Sequence, residues 1–237
     1  MLSEKQINEI AVKLQSDFIN VAREYVQNQF LSIFYSLPES DTIFFKGGTA
    51  LRILYRSPRF SEDLDFSTSK IDQNRIENLL QETMLRLDRE GLAIELIESS
   101  LTSGGYYGEI SSAIGAHKFN ISLEISGRKK RLSGHLITVD NPYIPPYSVM
   151  ALKREELIAE KIEALLNRQK SRDFYDLYFM LRANLLPDKA VLKKIMPMLA
   201  GLKIDFKKEL GKFLPQGHQR IIKGFKKVLE SELRRYI

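Results

Sequence analysis

Residues 42–66, TIFFKGGTALRILYRSPRFSEDLDF, constrain the fold more than any other stretch. The apolar start, Thr42 to Phe45, is long enough for one buried strand. Lys46-Gly47-Gly48-Thr49 breaks that run, Ala50 to Tyr55 reads as a short helix, and Ser57-Pro58 ends it. Arg59 to Phe66 follows and carries Asp63 and Asp65. The paired glycines admit backbone conformations closed to other residues and let an anion approach the chain. The helix they open points free N–H groups at that anion. The same residues also suit a tight strand-to-helix turn with no ligand. On a strand, residues i and i+2 share a face, so the spacing predicts that the Asp63 and Asp65 carboxylates stand side by side. Like charges so placed repel unless a cation bridges them. Hard divalent cations take such oxygen ligands. A polar turn or an exposed strand edge would also accommodate an Asp-x-Asp pair. It is the combination with Gly-Gly-Thr, one short helix upstream, that favours a nucleotide and metal site.

Composition narrows the setting. The 237 residues are 43% hydrophobic and 28% charged, enough to bury a core in one large domain or two small ones. The absence of Cys excludes disulfides and thiolate metal sites. No apolar run approaches the roughly 18 residues of a membrane span, and the N-terminus MLSEKQINEI is polar, so a cytoplasmic protein is expected. Residues 188–237 hold 13 Lys/Arg against five Asp/Glu, a local +8 in a chain of net +6, so the remainder is near −2. That clustering points to a polyanion partner such as nucleic acid, with a solvated Lys-rich helical surface as the alternative.

Periodicity predicts one long helix over 3–35 and another over 71–90, with strands over 92–97, 106–110, 118–126 and 135–139. Residues 127–131, GRKKR, read as a basic turn. Around Pro145-Pro146 strand-like segments give way to helical ones, which divides the chain into 1–145 and 146–237. Helices are expected over 152–168, 173–182, 188–199, 203–213 and 217–236. The fold class is therefore α+β: a mixed β-sheet with flanking helices, followed by a helical C-terminal domain.

Two further residues attract attention. In ISLEIS, Glu124 lies on the face opposite Ile121, Leu123 and Ile125 and is the best candidate for a third carboxylate; Asp140 is a weaker one. Lys161 falls in the apolar side of its helix, between Leu157 and Leu165, where it must snorkel or pair with an anion. A triphosphate is one such anion, and Asp173 or Asp176 in the next helix is the other. His117, His135 and His218 are widely spaced, and no nucleophile elbow or Walker-type loop is present.

KGGTAL, RFSEDLDF, the acid-bearing strand and LIAEKIEALLNRQKSRDFYDLY occur in that order over residues 42–182. Together they resemble the AbiEii family of nucleotidyltransferase toxins, including the MenT-like tRNA-modifying toxins, within the DNA polymerase β-type nucleotidyltransferases. The resemblance implies a polymerase β-like core, two Mg²⁺ ions, an NTP substrate, and a cognate antitoxin in a toxin–antitoxin or phage-defence locus. It implies that Gly47, Gly48 and Thr49 hold phosphates with Ser61 close by, and that Asp63 and Asp65 hold Mg²⁺, with Glu124 as a further ligand. Lys161 would contact the nucleotide, and Asp176 would be the acid of the last motif. The expected reaction moves an NMP to a hydroxyl, foremost a tRNA 3′ end. A protein or small-molecule hydroxyl, or non-catalytic NTP or RNA binding, are the alternatives.

Overall fold

The computed structural model describes residues 1–128 and 132–237. It divides into two compact units, one of residues 1–56 and 60–153, the other of 57–59 and 154–237. Residues 129–131 of the expected basic turn lie outside the described residues; Gly127 ends a strand.

The first unit opens with α1 (Glu4–Lys13) and α2 (Phe18–Phe34). The single long helix expected here is broken at Gln15, whose φ of 53° is left-handed and cannot continue a right-handed helix. A seven-stranded mixed sheet follows: β1 (Ile43–Lys46), β2 (Leu64–Thr68), β3 (Ala93–Thr102), β4 (Gly105–Ile114), β5 (His117–Gly127), β6 (Gly134–Val139) and β7 (Tyr147–Leu152), in the spatial order β3-β4-β5-β2-β1-β7-β6. Helix α3 (Gly47–Tyr55) joins β1 to β2, and α4 (Gln73–Arg89) joins β2 to β3. The pairs β2/β5 and β1/β7 are parallel; β1/β2, β3/β4, β4/β5 and β6/β7 are antiparallel. Strand β7 has no counterpart among the expected strands: YSVMAL is a short apolar run that leads straight into helical residues, and periodicity alone does not separate the two.

Alternation sorts the sheet into two faces. Ile43, Phe45, Leu64, Phe66, Ile121, Leu123, Ile125 and Ile110 are buried on one face, where Phe66 packs against Phe34 and Phe45 at ring-centroid distances of 5.5 and 5.7 Å. Lys46, Asp65, Ser67, Glu124 and Tyr107 belong to the other, polar face. Helix α2 is buried on most sides and carries polar residues into the interior. Glu24 accepts from Arg52 Nε (2.5 Å) and Tyr143 Oη (2.8 Å), and Asn28 Oδ1 accepts from Tyr147 Oη (2.8 Å).

The second unit is helical: α5 (Arg154–Arg168), α6 (Ser171–Arg182), α7 (Lys189–Ala200), α8 (Phe206–Leu210), α9 (Gln219–Ile222) and α10 (Phe225–Leu233). The helix expected over 217–236 is instead a short 3-10 turn followed by α9 and α10, separated near Gly224. Phe174, Tyr175, Tyr178, Phe206 and Phe225 form its aromatic core, with centroids 4.8–6.3 Å apart. The aromatic stretch after Arg172 is thus core-forming.

Candidate active site

The strand register assembles the site. Lys46 on β1 pairs with Asp65 on β2, Asp65 with Glu124 on β5, and Glu124 with Tyr107 on β4. Directly registered residues project from the same face, so these four side chains form a row across four strands, with neighbouring strands about 4.8 Å apart. Lys46 is buried, and its Nζ donates to Ser126 Oγ at 3.3 Å. Asp63 immediately precedes β2, and Glu124 is exposed.

Gly47 sits at the foot of α3 with φ of +83°, the turn that lets the chain pass from strand to helix. A Cβ there would lie 2.0 Å from Asp65 Oδ2, so the Asp65 carboxylate occupies the space that any other residue would fill. The first turn of α3 has no side-chain cap, which leaves its leading N–H groups to other acceptors. Gly47→Ala therefore meets two penalties, about 1–2 kcal/mol for the left-handed backbone and the displacement of Asp65. A fall in thermal stability well beyond that of an exposed Gly201→Ala control is the expected result, since nothing stands within 4 Å of a Cβ at Gly201. Equal melting temperatures for the two variants would contradict it.

Thr49 is fully buried and its hydroxyl donates to the Asp63 carbonyl. Its side chain therefore ties the glycine turn to the acidic motif, and any contact with phosphate falls to its backbone N–H. The Ser61 and Glu62 carbonyls accept from Gln27 Nε2 at 3.1 and 3.2 Å. Arg23 Nη1 lies 3.4 Å from Glu62 Oε1, and its Nε donates to the Asn120 carbonyl at 3.2 Å. Burial lowers the Arg23 pKa, opposed by Glu62 and Asp63. Arg23 and Gln27 are absent from the sequence-based candidates. Their signal is a polar pair at i, i+4 on a helix that also carries the apolar Val21, Ala22, Tyr25 and Val26.

Lys161 and Asp176 belong to the second unit, where Arg59 joins them. Arg59 grips Asp176 through Nε–Oδ1 (2.8 Å) and Nη2–Oδ2 (3.0 Å), and Lys161 Nζ lies 2.7 Å from Oδ2. All three are buried at the side chain, with 5%, 2% and 10% exposure for Arg59, Asp176 and Lys161. Of the two anions open to Lys161 on sequence grounds, the structure pairs it with Asp176. Burial alone would raise the Asp176 pKa, but Arg59 and then Lys161 outweigh it and draw it down to about 2. Asp173 is held separately by Arg168 at 2.7 Å and accepts from the Lys170 N–H.

The donor set suits a hard cation in one mode. Among the described residues no three His, Asp or Glu side chains gather into a closed cage. Mg²⁺, however, is commonly held by one or two carboxylates together with substrate phosphates. Asp63 and Asp65, beside the start of α3, which has no side-chain cap, match that mode.

A family model for the AbiEii toxin, a nucleotidyl transferase of type IV toxin–antitoxin systems, matches residues 29–232. Two solved structures from Helicobacter pylori are similar in fold. JHP933 is 21% identical, with a TM-score of 0.58, covering 93% of this chain and 95% of its own. A protein designated a candidate nucleotidyltransferase is 20% identical, with a TM-score of 0.56, covering 91% and 96%. No curated protein matches the chain. Among the described residues no helix is long and apolar enough to cross a membrane.

Proposed function

The chain belongs to the AbiEii family of nucleotidyl transferase toxins from type IV toxin–antitoxin systems, and from that premise we propose that it transfers an NMP from an NTP to the 3′-hydroxyl of a tRNA in a Mg²⁺-dependent reaction. A nucleotidyltransferase activity, an NTP substrate and an antitoxin partner follow from the family; the metal, the acceptor and the residue roles are our reading. The observation that carries it is the Asp65 carboxylate, registered beside Glu124 and lying over Gly47 at the uncapped start of α3.

In this reading the N–H groups of Gly47, Gly48 and Thr49 bind the triphosphate, with Ser61 close by. Asp63 and Asp65 hold two Mg²⁺ ions, which when bound supply charge stabilisation at the phosphates and a lowered pKa at the attacking hydroxyl. The acceptor oxygen attacks the α-phosphorus, the bond to the bridging oxygen of the β-phosphate breaks, and pyrophosphate leaves. We assign Glu124, registered beside Asp65, to accept the hydroxyl proton. Asp176 and Lys161, paired with Arg59 inside the second unit, hold that unit together. The exposed Lys193, Lys194, Lys203, Lys207, Lys208 and Lys223 would meet the RNA backbone, a contact that weakens as salt rises.

Incubation with each of four α-labelled NTPs, Mg²⁺ and total RNA tests the reading. Label is expected on tRNA, sensitive to EDTA. Label on protein or on a small molecule, with none on RNA, would transfer the same chemistry to another acceptor and overturn the tRNA assignment.

A further inference from the structure

The polypeptide between α3 and β2 reaches the site outside any sheet ladder, so its carbonyls need partners from elsewhere. Three consecutive carbonyls find them in buried side chains. Ser61 and Glu62 both accept from the Gln27 amide nitrogen, and Asp63 accepts from the Thr49 hydroxyl. Gln27 is 1% exposed and Thr49 fully buried, so neither donor can trade its partner for water without local opening. Arg23, one turn from Gln27, links the same segment to β5, the strand of Glu124, through Glu62 at 3.4 Å and the Asn120 carbonyl at 3.2 Å. Its guanidinium also lies 5.7 Å from the Phe119 ring centroid, over that strand.

We propose that Gln27 and Thr49 are positioning residues that hold the backbone of residues 61–63 so that the Asp63 carboxylate meets Asp65 at a spacing a divalent cation can bridge, with Arg23 keeping that segment in register with β5. The inference rests on the metal reading above. Two carboxylates on a free loop would have to be ordered by the cation itself, which weakens binding; a pinned main chain removes that cost. Helix α2 is then part of the site as well as of the core. Thr49 serves through its hydroxyl on the Asp63 carbonyl, independently of any phosphate contact by its N–H.

The test is Mn²⁺ binding to the full-length protein, read from the free-ion signal in electron paramagnetic resonance, without turnover. Gln27→Leu and Thr49→Val remove the donors at similar volume, and each is expected to bind Mn²⁺ roughly tenfold more weakly, the low end for partners that orient ligands. Thr49→Ser restores the hydroxyl and should restore the affinity. Val26→Ala, a buried apolar truncation on the same helix, should lose stability and keep wild-type affinity. Unchanged binding in Gln27→Leu and Thr49→Val would overturn the proposal, as would equal weakening in Val26→Ala, because affinity would then follow stability alone. If Gln27→Leu does not fold, the Thr49 pair decides. Failure of the metal reading looks different: wild type binds no Mn²⁺, or Asp65→Asn binds as wild type does, and the positioning role falls with it.

Discussion

Asp65→Asn should reduce nucleotide transfer by about 10³-fold or more, the scale seen when one preorganised electrostatic group is removed from a reacting centre. The substitution keeps the shape of the side chain over Gly47 and removes its charge. It therefore spares the packing that a larger residue would disturb. Stability should stay within about 1 kcal/mol of wild type, because the loss of repulsion from Glu124 and the loss of attraction to Lys46 act in opposite directions. The measurement is label transfer from α-labelled NTP in parallel with thermal unfolding. In cells, expression of the wild type should arrest growth and expression of the D65N protein should not. Transfer at wild-type rate by a folded D65N protein would remove Asp65 from the chemistry and leave the row of charges as a structural feature of the sheet.

That row was half legible in the sequence. Gly47 to Asp65 is a local pattern, a strand, a turn, a helix and a second strand within 25 residues, and local periodicity and turn chemistry suffice to read it. Glu124 could be placed on the right face by alternation, but its position beside Asp65 depends on β2 and β5 pairing in parallel across 58 intervening residues, which no local signal encodes. The main-chain pins were less legible. Apolar periodicity marks α2 as a packing helix, and it is one; Arg23, Glu24, Gln27 and Asn28 are buried on it because each meets a partner from a distant segment. The break at Gln15 and the strand β7 escaped for a different reason. The apolar stripe over 3–35 continues through the left-handed Gln15, and YSVMAL, ahead of the helix expected from 152, is too short a run for periodicity to assign. The Arg59–Asp176 pair, 117 residues apart, was open only in part: Lys161 on an apolar face required an anion, and Asp176 was one of the two at hand, but nothing near Arg59 announced it as the stronger partner.

That pair carries the largest expected effect on stability. Asp176→Ala leaves Arg59 and Lys161 buried, adjacent and without their shared counter-ion, and removing one partner from such a buried arrangement costs about 3–5 kcal/mol. The second unit should unfold early in urea, read from the fluorescence of its clustered tyrosines. Asp176→Asn should be milder, since the amide oxygen still accepts one hydrogen bond. Adding Arg59→Met to Asp176→Ala should recover part of the loss by removing the larger stranded cation, so the double variant should be more stable than Asp176→Ala alone. The same arrangement sets a pH dependence. The folded-state pKa of Asp176 is drawn down to about 2, below the roughly 3.9 of an unfolded Asp, so the native state holds the carboxylate charged where the unfolded chain would protonate it. Its contribution is fully present above about pH 4–5 and is lost as pH falls toward 2. The wild type should lose stability steeply across that window. Asp176→Asn, which has no proton to bind there, should show a shallower slope. Parallel slopes for the two proteins between pH 5 and 2 would mean that other carboxylates dominate the acid transition and that the Arg59–Asp176–Lys161 cluster contributes little to it.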